Sequence, residues 1–89
     1  MQFKLEDKGD VCLLSQETCS SSVNFTIPTP KATLVAAIVA ILNDPEQKET
    51  IIAEQAVMIE KQMSAGIVVH VGNGRFNIPW PYVFPLVTA

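Results

Sequence analysis

The sequence predicts an α+β domain: a small, mostly antiparallel five-stranded sheet in the order ββ-β-α-α-ββ, with two helices packed on one face. Three observations lead there. Apolar and polar residues alternate toward both ends of the chain, the period of a half-buried strand. Turn residues interrupt both alternations, Asp7-Lys8-Gly9 in the first and Asn73-Gly74 in the second. Between them, residues 30–65 hold two Pro-led helix starts and little glycine.

The first hairpin pairs 2–6 with 11–15. A three-residue turn at Asp7-Lys8-Gly9 sets Leu5 opposite Val11 and Phe3 opposite Leu13, on one buried face. Residues 16–22 form a polar loop, and Val23, Phe25 and Ile27 alternate with polar neighbours as a third strand that Pro28-Thr29-Pro30 stops. Thr29 is the expected N-cap of a first helix over 30–43, with Pro30 at its first position. Leu34, Ile38, Ile41 and Leu42 form one stripe, and Val35 and Val39 form a second beside it. A helix apolar nearly all round must be covered nearly all round.

Asp44-Pro45 with Gln47 resembles a capping box and opens a second helix ending near Ala65, with Gly66 as its stop. Ile52, Ala56, Ile59 and Met63 give that helix its core stripe. Residues 67–71 are the most strand-like of the chain. The Asn73-Gly74 turn pairs Val71 with Phe76, Val69 with Ile78 and His70 with Asn77. Phe76, Ile78, Trp80, Tyr82, Phe84 and Leu86 then share one parity, a continuous apolar ribbon if the strand runs on. Pro79, Pro81 and Pro85 lie on the opposite parity and remove ladder donors, which marks an edge strand continuing as an arm. The chain thus divides into an α+β domain, 1–78, and a Pro/aromatic C-terminal strand or arm, 79–89.

With 89 residues there is room for one core. Hydrophobic residues make up 48% and charged residues only 17%, against about 25% charged in an average domain. So little polar surface favours a homo-oligomer or a docked subunit. A net charge of −3 with scattered Lys and Arg argues against nucleic acid as a partner. The first ten residues are polar and mixed in charge, unlike a secretory leader. The longest apolar run, Leu34 to Leu42, is about half a membrane span. The expected setting is a cytoplasm, including that of a host cell, or a virion, with no membrane partner.

Little in the chain suggests chemistry. Cys12 and Cys19 with one distant histidine fall short of a zinc site, and both are expected as free thiols. His70 has no nucleophile placed beside it by a local motif. Glu54 and Glu60 do not share a helix face, and Gly72-Asn73-Gly74 lacks the helix N-terminus of a phosphate loop. No catalytic residue, metal ligand or cofactor is assigned. His70, Arg75 and Asn77 share one face of the last hairpin and are the candidate ligand contacts. The candidate interface residues are Trp80, Tyr82, Phe84 and Leu86 of the arm, with Val35 and Val39 of the first helix, because aromatic residues dominate contact energetics.

The function expected from this pattern is a non-enzymatic structural or assembly protein working through contacts with its own copies. Viral structural and accessory proteins are commonly of this size. The alternatives are a small inhibitor or adaptor that binds a foreign host protein, and a ligand-sequestering protein with a pocket between subunits.

Overall fold

The computed structural model describes residues 2–54 and 56–88. It is α+β, but its strands form two antiparallel sheets instead of one. The first holds β1 (Gln2–Asp7), β2 (Cys12–Glu17) and β3 (Ser22–Ile27) in that order. Helix α1 (Lys31–Asn43) follows. Strands β4 (Glu49–Ile52), β5 (Val57–Gln62), β6 (Gly66–Val71) and β7 (Gly74–Ile78) then form the second sheet, and α2 (Trp80–Thr88) closes the chain.

The first hairpin forms, with its return strand turned over. Leu5 faces Leu14 and Phe3 faces Gln16, three positions from the expected register. An odd shift moves the opposite parity of β2 inward. Cys12 and Leu14 are therefore buried, while Val11 and Leu13 are only partly covered. Both parities of Val11-Cys12-Leu13-Leu14 are apolar, so hydrophobicity does not fix the register and the loop does. Asp7 Oδ1 accepts from the Gly9 N–H at 3.0 Å, Gly9 takes φ +91°, and the Lys8 N–H donates to the Val11 carbonyl at 3.0 Å. That is a four-residue turn, one longer than expected.

Helix α1 buries Leu34, Ile38 and Ile41 of the stripe its sequence predicts, and Leu42, the fourth member, is partly buried. Its N-cap is Pro30, without a side-chain capping bond; Thr29 is buried in the turn before it. Beyond Asp44 the expected second helix is absent, and β4 and β5 take its place. Asp44 Oδ1 does accept a bond, from the Glu46 N–H at 3.0 Å, but as a local turn. The apolar residues of 51–59 satisfy a strand period as well as a helical one. Ile52, Val57 and Ile59 point inward, whereas Ile51 is 55% exposed and Met58 lies on the outer face. The hairpin between them puts Ala53 and Glu54 at φ +54° and +55°.

Gly66 starts β6 and ends no helix. At φ +126° it lies so close to the Ile78 carbonyl that a β-carbon would collide with it. In the last hairpin Val71 faces Gly74, Val69 faces Phe76 and His70 faces Arg75. The shift from expectation is two residues, so the faces are unchanged. The extended ribbon, however, ends at Ile78. From Trp80 the chain is helical, its first bond running from the Tyr82 N–H to the Pro79 carbonyl at 2.9 Å. Pro81 falls in the first turn, where its missing N–H costs nothing, and Pro85 is the one proline inside the helix. Residues 80, 83, 86 and 87 also fit a helical stripe, and Val83 and Leu86 are the buried ones.

Both sheets and both helices share one core. Leu5, Cys12, Leu14 and Ile27 from the first sheet meet Leu34, Ile38 and Ile41 of α1, then Val57, Ile59, Val69 and Ile78 of the second. An aromatic seam joins the sheets to α2. Phe3 lies edge-on to Phe76 at 5.9 Å and packs on Tyr82 at 4.9 Å, while Phe25 lies 5.7 Å from Phe76.

Candidate functional site

Three surfaces are candidates. The first is the outward side of α1. Ala32, Ala36 and Ala40 recur every fourth residue, so they stack on one helix face, and all three are exposed. Val35 and Val39 flank them, Val39 at 38% exposure. Val87 of α2 closes one side of this apolar groove of about 630 Å³, and Asp7 and Lys31 stand at its end. Lys31 is the only charged residue in the helix. The C-terminal end of α1 is capped from outside: Lys61 Nζ donates to the carbonyls of Ile41 at 2.9 Å and Asp44 at 2.8 Å. This supplies the cation that the negative end of the helix lacks in its own last turn.

The second surface is the free edge of β1, roofed by α2. Gln2 to Glu6 line one wall of a groove of about 450 Å³, with Tyr82, Pro85 and Leu86 on the other. Phe3 and Leu5 supply its apolar floor, and Lys4 and Glu6 point to the outer face of the sheet.

The third is the outer face of the four-stranded sheet. The register brings His70, Arg75 and Asn77 together on it, as expected, with His70 directly opposite Arg75. Two further residues join them that the sequence places on a helix instead. Glu60 Oε1 is 3.1 Å from His70 Nε2 and accepts from the Gln62 amide at 3.2 Å. The hydrogen bonds from His70 and then Gln62 hold the Glu60 carboxyl below its ordinary value, aided by the charge of Arg75. Asn77 donates to the Ala65 carbonyl at 3.4 Å, which ties its amide to the neighbouring loop. Among the described residues, no group of three or more His, Cys, Asp and Glu gathers as metal ligands.

The candidate contact residues of the C-terminal segment lie on both sides of α2. Trp80 is half-buried and its indole N–H donates to the Met63 carbonyl at 2.9 Å. Tyr82 packs on Phe3, and Leu86 belongs to the chain's own core. Phe84 alone points to solvent, at 60% exposure. Cys12 and Cys19 are both free, the first buried and the second exposed. Burial pushes the Cys12 thiol up, helped by Asp7 and opposed by Lys31. Among the described residues, no helix is long and apolar enough to cross a membrane. No family model, curated protein or solved structure matches the chain.

Proposed function

We propose that this is a non-enzymatic protein that works through protein–protein contact, with a second copy of itself as its partner. The observation carrying this reading is the exposed Ala32-Ala36-Ala40 face of α1 with Val35 and Val39 beside it. Small residues let two helix backbones approach closely, and apolar area is removed from water on both sides. Charge selects the arrangement. An antiparallel pairing brings Lys31, at one end, toward Asp44 and Glu46 beyond the other end of the partner helix, and it opposes the two helix dipoles. A homotypic contact between two such faces is isologous and closes as a dimer.

Ala36→Glu tests this without touching the core, since Ala36 is exposed in mid-helix. Light scattering should give a dimer or larger mass for the native chain. The variant should dissociate at least about tenfold more readily, because it sets two carboxylates against each other. Equal masses for the two would remove α1 as the contact.

A further inference from the structure

We infer that the free edge of β1 is a second homotypic contact, in which β1 of one copy pairs antiparallel with β1 of another about a two-fold axis. The backbone sets the phase. The Lys8 N–H to Val11 carbonyl bond makes that pair a hydrogen-bonded one. Alternation along an antiparallel ladder then turns the N–H and C=O groups of Glu6, Lys4 and Gln2 toward β2. Those of Phe3, Leu5 and Asp7 turn the other way, to the open edge. Among the described residues, no strand lies on that side of β1. Among the described residues, the edge is therefore a row of donors and acceptors that no strand pairs, beside an apolar groove.

Only odd-numbered residues of β1 can form hydrogen-bonded pairs across such an edge, which leaves few two-fold registers. Centring the axis on Leu5 sets Leu5 against Leu5 and Phe3 against Asp7, using all the outward groups. It also sets Lys4 directly opposite Glu6 of the other copy, twice, as the closely spaced pair. Sliding by one step in either direction puts Lys4 on Lys4 or Glu6 on Glu6. The outer face of β1 is thus complementary to itself in the register that uses the most outward backbone groups. Glu6 already lies 3.1 Å from Lys8 on the same face, so the joined sheet would carry charges of alternating sign across the seam. The floor of Phe3 and Leu5 would receive the partner's Leu5 under the roof of Tyr82 and Leu86.

This deepens the self-association reading and is tested separately from it. Lys4→Glu and Glu6→Lys are surface changes that leave the core intact; each alone sets like charges opposite each other twice. Each should weaken association about tenfold. An equimolar mixture of the two variants should regain the native mass, because every cross-strand pair is then complementary, and the double variant Lys4→Glu/Glu6→Lys should do the same. In the native chain, the amide hydrogens of Phe3 and Leu5 should exchange slowly when concentrated and quickly when dilute. A dimer whose mass ignores both single variants, with fast exchange at Leu5, would overturn the strand pairing and leave the α1 contact standing. Slow exchange at Leu5 in the dilute monomer would also overturn it, since the edge would be filled from within the chain. A monomer at every concentration would overturn both.

Discussion

Lys61 shows how much a single side chain can hold in this chain. Its ammonium bonds two carbonyls at the end of α1 from a strand twenty residues away. Lys61→Met keeps the stem and removes the charge, leaving both carbonyls to find water. The expected loss is about 2 kcal/mol, read from chemical denaturation. Glu60 gives a pH-dependent counterpart. Its carboxyl is held below the ordinary value by bonds from His70 and Gln62. A carboxylate depressed by folding stabilises the folded state above its unfolded value, near 4.5, and that contribution disappears as pH falls through the folded value. The stability difference between the native chain and Glu60→Gln should therefore be constant at neutral pH and shrink in acid. A difference that does not change down to pH 3 or so would show that the carboxylate makes no such bonds.

At the level of elements, α2 is where two periodicities compete. A strand would put Tyr82, Phe84 and Leu86 on one face, whereas the helix buries Val83 and Leu86 and exposes Phe84. Leu86→Ala should cost about 2–5 kcal/mol. Phe84→Ser should stay within about 0.5 kcal/mol, as for an ordinary surface position. Equal costs at both positions would favour the ribbon. The sequence makes some elements legible for clear reasons. β3 and α1 each have a defined stop, and in the last hairpin an even shift of two residues leaves the faces where the pattern puts them. The 45–65 segment has Glu, Gln, Ala and Met in helical spacing, yet its Ile and Val residues pair as strands once neighbours exist to pair with. Period alone cannot choose between the two when apolar residues occur on both parities. The same ambiguity in Val11-Cys12-Leu13-Leu14 left the register of β2 to a loop one residue longer than its turn signal suggests. The candidate ligand face was legible in part: an even shift kept His70, Arg75 and Asn77 together. Glu60 and Gln62 were hidden by their assignment to a helix.

For the whole molecule, the apolar excess of the composition is only partly absorbed by the core. Val83 and Leu86 of α2 lie within that core, so removing residues 79–89 would take core contacts away together with the segment. Part of the apolar area left over lies on the α1 face and in the groove beside β1, which adjoin where Glu6 is followed by Asp7 and Leu86 by Val87. The rest is scattered over single side chains such as Val23, Ile51, Met63 and Phe84. Two isologous contacts on one chain generate a closed tetramer or an extending array, depending on the angle between their axes. Sedimentation equilibrium of the full chain, over at least a hundredfold range of concentration, decides whether the protein self-associates. Self-association requires a mass that rises with concentration to at least twice the 9.7 kDa of one chain. A mass of one chain throughout that range would contradict it.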